Sequence, residues 1–149
     1  MTKKQMQKIL RRVSLYPPYL GAGIKLKKVN EDFTRFEVQM KMHRYNRNIY
    51  GTHFGGSLYA MSDPFFVFII LNYLGKEYIV WDKSAKIEFI KPGKGTVKAV
   101  FEISKEKLEE IKQDTDEKGK NTYFFKTEIK NSENQTVAKI EKEIYVKKK

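Results

Sequence analysis

Apolar positions dominate one stretch of the chain, residues 51–74, which reads GTHFGGSLYAMSDPFFVFIILNYL. A helix over residues 54–74 would be apolar on nearly every face, and a helix of that kind lies at the centre of a fold. At 1.5 Å per residue it would be about 30 Å long, enough to cross a small domain. Its uninterrupted apolar run, residues 65–71, is too short to span a membrane. Asp63 is the only formal charge in this helix, so its carboxylate needs an explanation.

Shorter stretches on both sides of this segment alternate apolar and polar residues, which is the two-residue period of strands with one buried face. Turn residues such as Asn, Gly and Pro separate these stretches. Two helical patterns complete the set: an amphipathic helix over 3–13 and a short helix over 105–112, the latter followed by a charged loop over 114–120. The predicted strands cover 24–29, 33–42, 78–90, 96–103, 121–129 and 136–146.

The order of these elements is two strands, one long apolar helix and four further strands. Strands that follow one another mostly as a meander form an antiparallel sheet, and such a sheet covers an apolar helix by curling around it. The pattern therefore predicts the hotdog fold in the α+β class, with an additional N-terminal helix. Because 149 residues can bury one substantial core, we expect a single domain over 1–149. Such a sheet has a further edge or face that the one helix does not cover, which favours a homodimer or a dimer of dimers.

The charge of the chain is strongly positive, with 30 Lys and Arg residues, 18 Asp and Glu residues and a net charge of +12. This balance favours acidic partners: nucleic acid, phosphate-bearing coenzymes or an acidic carrier protein. The basic residues are spread along the chain, which argues against nucleic acid. The chain has no cysteine, which excludes disulfides, thiolate metal sites and cysteine nucleophiles. Charges interrupt the first 13 residues and leave no apolar leader, so we expect a cytoplasmic protein without membrane attachment.

The start of the central helix and its one carboxylate are suited to acyl-transfer chemistry. Free N–H groups in the first turn of a helix can receive an oxyanion, and Gly55 and Gly56 have no side chain to block an acyl group. Asp63 could activate water as a general base or attack as a nucleophile. Asp63 followed by Pro64 is also a helix-start pattern, so a purely capping role is the alternative. The two histidines lack metal-ligand spacing, and no metal or cofactor is expected.

The spacing of Gly56 and Asp63 predicts where the active site lies. The two residues are seven positions apart, so on one continuous helix they would be about 10 Å apart along the axis. One carbonyl group cannot contact both of them. If both residues act, two central helices must pack antiparallel around a two-fold axis, which places the active site at the dimer interface.

The segment NIYGTHFGGSLYAMSDPFF resembles the hotdog thioesterases of the phenylacetate-pathway type, whose pattern has a glycine pair at the start of the central helix and an acid seven residues after the second glycine. Together with YPPYLGAGI and VWDKSAKIEFIKPG, it is similar to a branch of hotdog proteins of unknown function. The resemblance implies an acyl thioester hydrolase acting on acyl-CoA or an acyl carrier protein, with Gly55, Gly56 and Asp63 in the catalytic positions. The thioesterases have His directly before the glycine pair, where this chain has Phe54 and carries His53 one place earlier.

Further residues are assigned to substrate binding: Asn48, His53, Phe54, Asp82 and Lys83. For Asn48 and His53 the alternative is a structural role in the loop. Asp82 and Lys83 form either a salt-bridge group at a strand edge or a second polar wall of the pocket. Arg44 and Arg47 are ordinarily solvated residues, but they could contact the phosphates of coenzyme A.

Other functions remain open on the same fold. A hydratase or dehydratase would use His53 as its base. A non-catalytic acyl-thioester-binding protein would need Asp63 only as a helix cap. A nucleic-acid binder would show a steep salt dependence of binding.

Overall fold

The computed structural model describes residues 4, 8 and 11–149. The helix predicted over 3–13 therefore falls mostly outside the described residues, including its apolar positions 6, 9 and 10. Residues 11–13 are helical, and Val13 packs against the core. A short helix that was not predicted follows, α1 (Pro17–Ala22), with proline in its first turn, where a missing N–H group costs nothing.

All six predicted strands are present, and each of their ends lies within two residues of the predicted position. Their side chains alternate as expected. In the second strand Phe36, Val38 and Met40 are buried, whereas the residues between them are partly exposed. The strands are β1 (Ile24–Val29), β2 (Arg35–Lys41), β3 (Tyr78–Phe89), β4 (Thr96–Glu102), β5 (Lys120–Lys130) and β6 (Thr136–Lys148).

The strands form a six-stranded antiparallel sheet in the order β1-β2-β4-β5-β6-β3. The run β4-β5-β6 is a meander, as predicted, but β3 does not join it. β3 pairs with β6, from Tyr78 opposite Lys148 to Phe89 opposite Ala138, and lies at the edge of the sheet. β4 cannot accept it, because β2 and β5 occupy both edges of β4. Within the described residues, the outer edge of β3 is therefore unpaired.

The predicted central helix is present as a helical segment over Gly55–Leu74. A turn at residues 61–64 divides it into α2 (Gly55–Ala60) and α3 (Phe65–Leu74). Pro64 explains the division, since proline provides no N–H group for a helix interior. The ring of Phe65 lies 5.0 Å from that of Phe101, and the ring of Phe66 lies 5.1 Å from that of Phe125, so α3 packs into the concave face of the sheet.

The helical segment also passes a length and composition test for membrane spans. It has 20 residues and a mean hydropathy of 1.3, and half of its apolar window is buried inside the protein. Core helices of soluble proteins pass the same test. The packing of α3 against the sheet is what such a core helix shows.

The helix α4 (Lys105–Lys118) corrects one prediction, because the expected charged loop over 114–120 is largely helical. Leu108, Ile111 and Thr115 are buried at helical spacing, so the apolar stripe continues past residue 112. Ion pairs four residues apart add support on the exposed side, such as Lys112 Nζ to Asp116 Oδ2 at 3.1 Å. The sequence interpretation counted the charges as a loop signal, although they form one solvated face of the helix.

Candidate active site

The first turn of α2 presents two backbone amides without acceptors. Phe54 is the N-cap residue, and its carbonyl oxygen accepts from the N–H groups of Ser57 and Leu58 at 3.0 and 3.1 Å. The N–H groups of Gly55 and Gly56 have no acceptor among the described residues, as expected for the start of a helix. Gly56 is exposed. An anionic oxygen can therefore reach this turn from solvent.

Two aromatic rings flank the glycine pair. A Cβ atom on Gly55 would lie 3.0 Å from Cζ of Phe89, and a Cβ atom on Gly56 would lie 2.5 Å from Cε1 of Phe54. Neither position holds a side chain unless a ring moves. The side chain of Phe54 is 58% exposed, so its ring can turn away from Gly56. The ring of Phe54 therefore lies against Gly56 in a position from which it can move.

The two glycines line different pockets. Gly55 lines a pocket of about 340 Å³, and Gly56 lines one of about 440 Å³ beside α1. Arg47 lines the second pocket, and its backbone pairs with that of His53. The first pocket is bordered by Asn48, Thr52, His53, Gly55, Leu58 and residues 89–93.

His53 is buried in the wall of the first pocket, with 3% of its surface exposed. Its Nε2 lies 2.9 Å from the carbonyl oxygen of Gly95, which can only accept, so Nε2 carries the proton. Nδ1 is buried and has no partner within the described part of the chain. Burial lowers the pKa of His53, and the hydrogen bond to Gly95 opposes this only in part. The ring is therefore neutral at physiological pH.

Asn48 organises the loop before the helix. Its Nδ2 donates to Thr52 Oγ1 at 2.9 Å, and its Oδ1 accepts from the backbone N–H groups of Tyr50 and Thr52 at 3.0 and 3.1 Å. These bonds hold the turn that brings His53 to the wall of the pocket. Substrate binding by Asn48 stays a prediction.

Asp63 lies in the turn between α2 and α3 and is exposed. Its backbone N–H donates to the carbonyl oxygen of Ala60 at 3.2 Å. The N-cap residue of α3 is Pro64, and no side chain of the described residues caps this helix. The capping role that the sequence left open for Asp63 is therefore not the one this carboxylate has. Its role in catalysis stays a prediction.

Asp82 on β3 lies next to Asp63 and to Lys142 on β6. Oδ2 of Asp82 is 3.0 Å from Nζ of Lys142. Burial raises the pKa of Asp82, Lys142 opposes this, and the neighbouring carboxylate of Asp63 raises it further. The structure thus brings together two of the carboxylates that the sequence marked separately.

Lys83 lies apart from this group. It is exposed, and its Nζ makes an ion pair with Oε1 of Glu143 at 2.8 Å. The strand has an irregularity between Asp82 and Ser84, and the hydroxyl of Ser84 also donates to Glu143. Lys83 is thus engaged with Glu143, which lies outside the cluster of Asp63, Asp82 and Lys142. This cluster is the Asp63 group.

Comparison with known protein families shows the family to which the chain belongs. A family model described as a domain of unknown function, DUF4442, matches residues 3–146. The chain belongs to this family. A search of curated protein sequences gave no match.

Several solved structures share the fold of this DUF4442 member. A Pseudomonas aeruginosa protein of unknown function, called a probable thioesterase, has a TM-score of 0.84 and 13% identity, with 100% of this chain and 97% of that chain covered. A protein of unknown function from Chlorobaculum tepidum has a TM-score of 0.79 and 19% identity, with 99% and 98% covered. The PaaI protein of the Escherichia coli phenylacetic acid degradation operon has a TM-score of 0.65 and 16% identity, with 97% and 95% covered. The predicted hotdog fold is thereby confirmed.

Sequence reasoning missed Lys142, which pairs with Asp82, and Tyr19, whose hydroxyl has its pKa raised by burial and by the charge of Asp63. Lys142 occupies an inward position of β6, between the buried residues Ile140 and Ile144. A lysine that replaces an apolar residue in a strand alternation signals a buried charge, and this signal was available in the sequence. Tyr19 belongs to α1. This helix begins with Pro17 and Pro18, residues that the sequence pattern associates with the end of the preceding helix.

The buried His53 gives a testable pH dependence of stability. Because its pKa is lowered from 6.5 in the folded protein, the unfolded chain binds more protons below about that pH. The stability that the neutral ring contributes is present above pH 6.5 and is lost as the pH falls through the lowered value. We expect a lower free energy of unfolding at about pH 5.5 than at about pH 7.5, measured by urea denaturation, and a weaker dependence in His53→Gln. A His43→Asn variant controls for the loss of an exposed imidazole. An unchanged pH dependence in His53→Gln would contradict the assignment.

Proposed function

We propose that this protein hydrolyses acyl thioesters of coenzyme A or of an acyl carrier protein. The observation that carries the proposal is Asp63, an exposed carboxylate that caps no helix and lies at the break in the central helix. The same helical segment begins with the amides of Gly55 and Gly56, whose N–H groups have no acceptor in the described part of the chain. Solved structures that share the fold and are named as thioesterases support the same reaction class.

These groups supply the two requirements of thioester hydrolysis. Attack of water on the carbonyl carbon turns the carbonyl oxygen into an oxyanion, and the amides of Gly55 and Gly56 donate hydrogen bonds to it. Asp63 takes the proton of the attacking water as a general base. Collapse of the intermediate breaks the C–S bond, the protonated Asp63 returns its proton to the departing thiolate, and the thiol and the carboxylic acid are released. Asp63 acting as a nucleophile, through an anhydride that water then cleaves, gives the same products.

The proposal requires two copies of the chain. Gly56 and Asp63 of one chain are separated by most of α2 and the turn that follows it, so one carbonyl cannot contact both. A second copy would cover the edge of β3, which is unpaired among the described residues, together with the exposed side chains of Trp81 and Phe89 on this strand. It would also cover the exposed ring of Phe54 at the start of α2. We propose a homodimer, or a dimer of dimers, in which Gly56 of one subunit is opposite Asp63 of its partner.

The pockets beside the glycine pair suggest how a substrate would lie. Leu58, Phe89 and Ile90 give the first pocket an apolar wall that suits an acyl chain. Arg47 lines the second pocket together with Gly56, and a guanidinium there would suit the phosphates of coenzyme A. A net charge of +12 also suits an acidic acyl donor in the cytoplasm.

The alternative functions have less support from the described residues. A hydratase would need His53 as its base, but Nε2 of this ring carries a proton bonded to Gly95, and Nδ1 is sealed from solvent. A non-catalytic binder would leave Asp63 as a cap, and the side chain of Asp63 caps no helix. Thioester hydrolysis, by contrast, gives a role both to the amides of Gly55 and Gly56 and to the carboxylate of Asp63.

A panel of acyl-coenzyme A and acyl carrier protein substrates, followed by release of free thiol, tests the proposal. The chain has no cysteine, so a thiol reagent reports the product without a background from the enzyme. We expect turnover of at least one acyl class at a rate that requires Asp63. Binding of acyl thioesters without thiol release would favour the non-catalytic protein instead.

A further inference from the structure

Lys142 is a charged side chain inside the core. Only 1% of its surface is exposed, and it lies on the inward face of β6 with Ile140 and Ile144. Nζ is 3.0 Å from Oδ2 of Asp82 and 5.5 Å from the centre of the Tyr59 ring. A buried ammonium group needs an anionic partner, because an uncompensated charge in the core is strongly destabilising. Asp82 is the nearest carboxyl group, and Asp63 adds a second one to the cluster, so the compensating negative charge belongs to the carboxyl pair.

The two carboxylate oxygens of Asp82 have different surroundings. Oδ2 faces Lys142, whereas Oδ1 is buried and no donor among the described residues reaches it. A buried anionic oxygen without a donor is costly. A proton on Oδ1 removes this cost and turns the oxygen into a donor. The carboxylate of Asp63, which is within hydrogen-bonding reach of the Asp82 side chain, is the acceptor at hand.

The charges of the cluster favour the same arrangement. Asp63, Asp82 and Lys142 together carry one net negative charge when all are ionised, and a single proton makes the cluster neutral. Neutrality is favoured at the buried end of the cluster, which holds Lys142 and Oδ1 of Asp82, whereas Asp63 is exposed. Tyr19, the titratable group that faces the cluster from α1, stays neutral, since burial and then the charge of Asp63 raise the pKa of its hydroxyl. Burial likewise raises the pKa of Asp82, in the direction that retains the proton.

We propose that Asp82, held by Lys142, positions the carboxylate of Asp63 by donating a hydrogen bond to it from a protonated Oδ1. One oxygen of Asp63 is then fixed, and the other is left to accept the proton of the attacking water. The inference rests on the proposed thioester hydrolysis, in which Asp63 is the base. Asp82 and Lys142 touch no substrate atom in this scheme and are positioning residues.

The pH profile of hydrolysis tests this role through Asp82→Asn. In the wild type the rate should fall as the pH rises through the pKa of Asp82, because the donated proton is lost. Asn keeps an N–H donor for Asp63 and an oxygen acceptor for Lys142 at every pH. The alkaline fall should therefore disappear in this variant. If Asp82 has only a structural role, the folded fraction of Asp82→Asn will keep the pH profile of the wild type. That result would overturn the proposal.

A second variant removes the pair without leaving a charge in the core. Asp82→Leu combined with Lys142→Met replaces both side chains by apolar ones of similar size, a change that proteins often tolerate. We expect a folded protein whose kcat is lower by about tenfold or more, because the base is no longer oriented. Glu141→Gln on the same strand is the matched control, since it breaks the ion pair with Lys126, 3.0 Å long, outside the cluster. Equal activity of the double variant and the control would count against positioning.

Carbon-13 NMR titration of the Asp82 carboxyl group separates this inference from the thioesterase proposal. We expect Asp82 to titrate above its ordinary value of 3.8 in the wild type. Its pKa should fall in Asp63→Asn, which removes a repelling carboxylate, and should rise in Lys142→Met, which removes the ammonium group. These shifts without turnover of any thioester would sustain the carboxyl pair and reject the proposed function. Turnover of a thioester, together with a pKa of Asp82 that is unchanged in Asp63→Asn, would support the proposed function and reject the carboxyl pair.

Discussion

Replacing Asp63 by Asn should lower kcat for thioester hydrolysis by about 100-fold or more while the protein remains folded. Asn has nearly the shape of Asp but cannot accept a proton at neutral pH or act as a carboxylate nucleophile. Asp63 is exposed and its side chain caps no helix, so the substitution removes no cap, and Asn leaves a side chain of the same shape beside Asp82. The loss should appear in single-turnover thiol release as well as at steady state, because it affects the chemical step.

The control for this substitution is Glu88→Gln. Glu88 is an exposed carboxylate on β3 whose ion pair with Lys86, 2.9 Å long, lies outside the Asp63 group. The Glu88→Gln variant should retain wild-type turnover. Thermal denaturation of both variants shows whether the fold is intact. Turnover by Asp63→Asn at the wild-type rate would remove Asp63 from the mechanism and return the protein to the non-catalytic alternative.

Strand alternation and the central apolar helix were enough to predict the fold from the sequence. Alternation works because one face of each strand packs on the helix, so residues such as Phe36, Val38 and Met40 report burial directly. In the helix Phe65–Leu74 six of the ten residues are buried where it packs against the rest of the protein, and the apolar run reflects that burial. Both signals come from burial that is local in the sequence.

One feature of the sheet was not predicted, and one local prediction, the loop over 114–120, was wrong. The place of β3 at the edge follows from the occupation of both sides of β4, which no local pattern records. The charges of Asp114 and Lys118 suggested a loop, although they form an i, i+4 ion pair on α4.

The candidate site was predicted in its parts and not in its arrangement. Gly55, Gly56 and Asp63 were chosen by chemistry that depends on the residue types alone. That Asp82 and Lys142 join Asp63 depends on the register of β3 and β6, in which Asp82 is opposite Ile144 and Ala85 is opposite Lys142. An irregularity between Asp82 and Ser84 shifts that register. Pairings of this kind are fixed by the assembled sheet.

Mixing two inactive variants should restore hydrolysis if each site is shared between subunits. An Asp63→Asn chain keeps its glycine amides, and a Gly56→Val chain keeps its carboxylate. The Val side chain would meet the ring of Phe54, whose exposure allows it to move, so the chain should fold while the approach to the amide is crowded. In a heterodimer one of the two sites combines the intact amide of one chain with the intact carboxylate of the other.

The size of the recovery can be stated in advance. After random exchange about half of the dimers are heterodimers, and each has one intact site of two, so total activity should reach about a quarter of the wild-type value. The matched control mixes Asp63→Asn with a chain that carries both substitutions, since this heterodimer has no site with both groups intact. Two affinity tags allow purified heterodimers to be assayed directly. Inactivity of those purified heterodimers would mean that Gly56 and Asp63 do not act on one carbonyl across the two-fold axis, and the amide and the carboxylate would then need separate roles.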